Sequence, residues 1–159
     1  MSTIRPTSNK RTGIGGLRAN SLATVVMLVT EFALGAVVNL YATLPSSDTG
    51  KTFIAAFGAA VTDGPVALTL HALLGTLLLI TGISALVRAS LLRGGALIAV
   101  SGVALLAILL AWLSGTRFVG DSSNEASLIM ALATAVAIVC YAAILFGATE
   151  PRERHSTGE

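Results

Sequence analysis

Charge is scarce in this chain. Charged residues make up 11% of the 159 residues, against about a quarter in soluble domains, which excludes a protein built to face water. The net charge of +2 is too small to point to nucleic acid. Aromatic residues are 5% of the chain and Cys140 is its single cysteine, so an internal disulfide is excluded. The sequence also lacks a nucleophile with a base beside it, a metal-ligating cluster and a carboxylate pair at working spacing. No catalytic residue, no metal and no enzymatic activity are therefore expected.

What remains is apolar. Hydrophobic residues make up 54% of the chain, mostly Leu, Ala, Val and Ile, and the mean hydropathy is +0.84. A membrane-spanning helix needs roughly 20 such residues, and four stretches qualify: 21–44, 65–87, 96–115 and 126–146. The second is expected to open with Pro65 at its first helical position, where a missing amide hydrogen costs nothing. The fourth is expected to open on a capping box formed by Ser122 and Glu125. The first apolar run is too long for a signal-peptide core of about 7–15 residues, so it reads as a retained span. The fold expected is an all-α integral membrane four-helix bundle in one domain, 21–147. Polar tails at 1–20 and 148–159 are expected to be disordered and cytoplasmic.

Basic residues set the expected orientation. Arg5, Lys10, Arg11, Arg18, Arg88, Arg93, Arg152 and Arg154 fall in the tails and the middle connection, while only Lys51 and Arg117 fall in the other two loops. Eight against two puts both termini in the cytoplasm, and a bacterial inner membrane is the expected location. Phe53, Phe57 and Val61 have the spacing of a short amphipathic helix on the outer face; a plain loop is the alternative. The stretch PSSDTGKT, residues 45–52, ends like a phosphate-binding loop. Pro45 stands where that motif requires glycine, and no α/β context surrounds it. No nucleotide is expected.

Polar side chains inside the spans carry the functional signal. A charged residue near the centre of a membrane helix costs on the order of 2.5–3.5 kcal/mol, so such residues face a bundle interior. Glu31, Asn39 and His71 are the candidates. Glu31, Gly35 and Asn39 fall within an arc of about 80° on the first span. His71, Gly75 and Gly82 share a narrower stripe on the second. Glycine one turn from each polar group lets a neighbouring helix or a flat ligand approach. Counting depth from the loop sets His71 level with Asn39, which makes Asn39 or a backbone carbonyl the expected partner of its imidazole. For Glu31 a protonated carboxyl bonded to a neighbouring helix is expected. Ala107, Ala111 and Gly115 form a small-residue ridge suited to helix packing. Trp112 and Tyr41 read as interfacial anchors.

HALLGTLLLITG in the second span aligns without gaps with MALATAVAIVCY in the fourth, pairing His71 with Met130, Gly75 with Thr134 and Gly82 with Tyr141. That pattern suggests a duplicated helical hairpin. The order Glu31-x3-Gly35-Ala-Val-Val, outer loop, then His71 resembles one hairpin of the haem A synthases. This resemblance implies His71 as an axial haem ligand, with Met130 as a second, and haem b as the cofactor. The family has paired histidines in each half, whereas this chain has one membrane histidine, His155 lying in the C-tail. The fourth span, with SSNEASLIMALA and Tyr141, is similar to small four-span bacterial membrane proteins. The leading expectation is a non-enzymatic accessory or binding subunit without a cofactor. It would contact the lipid bilayer and pack against other membrane subunits or copies of itself. A haem-binding electron-transfer module using His71 and a proton-linked transporter using Glu31 and His71 are the rivals, and an optical spectrum separates the first of these from the rest.

Overall fold

The computed structural model describes residues 7–41, 52–121 and 123–147, which form five helices. These are α1 (Thr7–Tyr41), α2 (Phe53–Thr62), α3 (Val66–Leu91), α4 (Gly95–Asp121) and α5 (Asn124–Gly147). Four of them are long and apolar enough to cross a membrane: Gly13–Tyr41, Val66–Leu91, Gly95–Phe118 and Asn124–Gly147. They pack as one bundle in which α1 neighbours α3 and α5, and α4 neighbours the same two. α3 thus stands diagonally opposite α5. The short helix α2 lies across α3 and α4 at one end of the bundle, as the spacing of Phe57 and Val61 suggests.

Local chemistry sets the helix starts. Pro65 is the residue before α3 rather than its first helical residue, and its carbonyl accepts from the amides of Leu68 at 2.8 Å and Thr69 at 3.1 Å. The cap of α5 is Ser123, whose Oγ accepts from the amide of Ala126 at 3.3 Å. Ser122, the PSSDTGKT stretch up to Lys51 and the tail 148–159 lie outside the described residues. α1 starts at Thr7, so 7–20 is helical rather than a tail. The reason is tertiary: Leu17 is fully buried, and Gly13 and Gly16 let Leu92 and Arg88 of the α3 end approach closely. α3 turns into α4 through Leu92, Arg93 and Gly94, with Arg93 at φ 55°, the left-handed conformation that closes helix ends.

Buried positions repeat in steps of three and four. On α1 they are Leu17, Ser21, Thr24, Leu28, Glu31, Gly35 and Val38. On α3 the same stepping runs through Leu68, His71, Gly75, Leu78, Gly82, Ala85 and Ala89, of which His71 and Gly75 are half-buried. A mean period of 3.5 residues is the signature of left-handed coiled packing. Gly35 faces His71, Gly75 faces Glu31, and Val38 clusters with Leu68, which fixes one antiparallel register for the pair. Carried along both helices, that register opposes Leu28 with Leu78, Thr24 with Gly82, and Ser21 with Ala85. On α4 and α5, Gly115 faces Met130, and the same logic opposes Ile108 with Ala137, Ala104 with Tyr141, and Ser101 with Ile144.

The bundle is therefore a stack of four-residue layers. Leu28, Leu78, Ile108 and Ala137 form an apolar layer, all of it buried. On the side away from α2, the Tyr141 ring fills the next layer, and its hydroxyl comes within 3.5 Å of where a side chain on Gly82 would begin. Several threonine hydroxyls in the spans bond their own helix, as in Thr24 Oγ1 to the Asn20 carbonyl at 2.8 Å and Thr76 Oγ1 to the Ala72 carbonyl at 2.9 Å. Such bonds satisfy a polar group where no water is present. The layer reading predicts that Leu78→Ala, at a position 2% exposed, lowers stability by about 2–5 kcal/mol. Its neighbour Leu77 is 47% exposed on the lipid-facing side, and Leu77→Ala should cost less than about 1 kcal/mol. Equal losses in a detergent melt would contradict the layering.

Candidate functional site

Between the apolar layer and the α2 end, the seam positions are unusually small. Gly35 and Gly115 share a layer with His71 and Met130, and Gly75 and Ala111 share the next with Glu31 and Thr134. A cavity of about 230 Å³ lies beside these positions, lined by residues of all five helices. Its walls include Glu31, Asn39, His71 and Met130, with Gly35, Gly75, Ala111 and Gly115. Gly82 and Ala107 do not line it. Gly82 lets Leu105 approach closely instead, and Ala107 is buried in the core. Trp112 turns inward as well: it lines the cavity and its ring lies 5.7 Å from that of Phe57 on α2. Packing against α2 thus turns Trp112 inward, while Tyr41 stays exposed.

Glu31 and His71 meet inside this space. Oε1 of Glu31 lies 3.2 Å from Nδ1 of His71. That distance is within ion-pair range, but the approach is off the line of a hydrogen bond, so Nδ1 is buried without a hydrogen-bond partner. We therefore read the contact as electrostatic. The second carboxyl oxygen, Oε2, is also buried and unpartnered, in a residue only 8% exposed. The other imidazole nitrogen, Nε2, is not sealed in this way and belongs to a side chain that lines the cavity.

The two glycines make the meeting possible, and they do so crosswise. A Cβ on Gly35 of α1 would lie 3.1 Å from Cε1 of His71, and one on Gly75 of α3 would lie 3.0 Å from Oε1 of Glu31. Each polar side chain thus occupies the gap left by the glycine on the opposite helix. The expectation that glycine and polar group serve the same face holds, but the partners are exchanged between helices.

Asn39 departs from expectation. Its Oδ1 accepts from Ser127 Oγ on α5 at 3.3 Å, and the nearest polar partner of His71 is Glu31 rather than Asn39. Depth matched Asn39 to His71, but depth does not fix rotation about the helix axis. The buried seam of α1 passes through Gly35 and Val38, which turns Asn39 toward α5 and the surface. Among the described residues no group of three or more His, Cys, Asp or Glu side chains could hold a metal ion. Comparison with protein-family profiles, curated proteins and solved structures returns no match. The chain stands as a four-span membrane bundle with no family attached.

A double-mutant cycle tests the pair. Glu31→Gln and His71→Ala should each destabilise the bundle, and the double change should cost less than their sum by about 0.5–3 kcal/mol. Additive losses would mean that the two side chains do not interact. Gly75→Ala should cost about 1–3 kcal/mol through overpacking, and much less when Glu31 is also shortened to Ala.

Proposed function

We propose that the chain is a non-enzymatic binding subunit of a bacterial inner membrane that holds a small guest in the cavity beside Glu31 and His71. The observation that carries this reading is the 3.2 Å approach of the two side chains inside a cavity. Ionisable residues in membrane spans are costly and mark ligand or proton pathways. A mostly apolar pocket with a few convergent polar groups is the ordinary form of a small-molecule site. The basic-residue distribution orients the α2 end, and so the cavity, toward the outside of the cell. Beyond the cavity, the layer of Leu28, Leu78, Ile108 and Ala137 is continuous apolar packing, which supports binding rather than passage.

A haem-binding module is the second reading, and one observation favours it. His71 and Met130 share a layer on diagonally opposed helices, with Gly35 and Gly115 beside them. A carboxylate at Nδ1 also orients an imidazole for metal ligation through Nε2. The donor atoms suit an iron; the volume does not suit the macrocycle. A cavity of about 150 Å³ admits one benzene ring, so 230 Å³ holds a single substituted ring and not four pyrroles.

Two measurements test these readings. Protein produced with ample haem should purify colourless, and a stoichiometric Soret band lost on His71→Ala would overturn the small-guest reading in favour of haem. In a Cys140→Ala background, a cysteine at Ser47 should react with an impermeant thiol reagent from the outside of intact cells, whereas one at Ser8 should not. The reverse pattern would place the cavity on the cytoplasmic side.

A further inference from the structure

The cavity wall is thin along the α1–α5 seam. Along α1 its edge steps through Phe32, Ala36 and Asn39, and along α5 through Ser127, Ala131 and Thr134. Both series follow helical spacing, so they face each other along the α1–α5 seam. Phe32 lines the cavity while 50% of its surface is exposed on the outside of the bundle, and Ala36 and Asn39 are exposed there too. One side chain separates the interior from the surroundings. The hydrogen bond from Ser127 to Asn39 ties this seam near the α2 end.

Position decides what meets that wall. The seam lies within the spans Gly13–Tyr41 and Asn124–Gly147, so the medium against Phe32 and Ala36 is acyl chain rather than water. A guest arriving there comes from the bilayer and carries an apolar part. The volume admits one substituted ring, as argued above. Phe32, Phe57, Trp112 and Phe118 line the cavity, half of the eight aromatic residues in the chain, and aromatic walls suit a ring stacked flat or edge-on. At the head of the site, Glu31 Oε2 is a buried acceptor without a donor. A ring hydroxyl would supply that donor.

We propose that the cavity binds a lipid-borne phenol or quinol, its ring beside the Glu31–His71 pair and its tail leaving through the α1–α5 seam into the bilayer. This rests on the reading of Glu31 and His71 as a binding pair and adds the class of guest and its route. A tail that leaves through the seam needs the gap beside Ala36 and Ala131. A ring without a tail does not.

That difference is the test. Trp112 is the only tryptophan of the chain and lines the cavity, so its fluorescence reports occupancy in protein held in lipid nanodiscs. The probes are decylubiquinol and the same dimethoxy-methyl hydroquinone head without a tail. Both should quench saturably, and Glu31→Gln should weaken both by up to about tenfold, the scale of one hydrogen bond. Ala36→Phe with Ala131→Phe fills the seam; it should weaken the tailed probe about tenfold more than the tail-less probe. A seam variant that weakens both probes equally, or neither, overturns the route while the head site stands. Absence of saturable quenching by either probe in the wild-type protein overturns the site and the route together. Thermal melts within a few degrees of wild type show that the seam variant is folded.

Discussion

Glu31 and His71 can approach each other only because glycine occupies the facing position on each partner helix. Two ionisable side chains in neighbouring spans need room to lie between backbones that otherwise pack at close range. Gly35 and Gly75 provide that room reciprocally, and the antiparallel register of α1 and α3 puts both gaps at the right height. A register shift of one residue would set each side chain against the wrong face. The pair and the register therefore specify each other, in the way that a buried polar contact fixes alignment in a coiled coil.

From that register the rest of the bundle divides into two regions of different character. Toward the α2 end, glycines on α1 and α3 admit the acid–imidazole pair, and the cavity lies beside it. Toward the opposite end, Leu28, Leu78 and Ile108 close the interior, and the tyrosine ring of α5 reaches across to the diagonal helix. The turn through Arg93 joins α3 to α4 in three residues, whereas the connection at the other end carries a whole extra helix. Cohesion and opening are thus assigned to opposite ends by residue size at seam positions, with the helices otherwise alike in composition.

Much of this was legible in the sequence because membrane spans reveal themselves through length and apolarity alone. The four spans and the inward faces of Glu31, His71, Gly35 and Gly75 follow from counting residues and applying helical periodicity, whereas 53–61 fits a short helix or a loop. What escaped has a common physical cause, which is that rotation and pairing depend on the other helices. Asn39 shares an arc with Glu31, yet the seam's alternation of three and four residues carries it outward to Ser127. Residues 7–20 look like a tail by composition, but Leu17 is held by the far end of α3. Trp112 has the depth of an interfacial anchor and the contacts of a cavity wall. Ser123 rather than Ser122 caps α5, a difference of one residue that backbone geometry decides. The cavity itself has no linear signature, since its walls come from residues of all five helices.

The crossing of the bundle by Tyr141 has a consequence for how this sequence can diverge. A larger residue at Gly82 would strike both the tyrosine hydroxyl and the Leu105 side chain, whereas a smaller residue at position 141 would leave a void between diagonal helices. Neither position is free to drift while the other stays fixed. Among descendants of a common ancestor, the two sites should exchange size in concert, a small residue on one diagonal answering a large one on the other. Such paired substitution would be a record of this contact written in lineages rather than in coordinates.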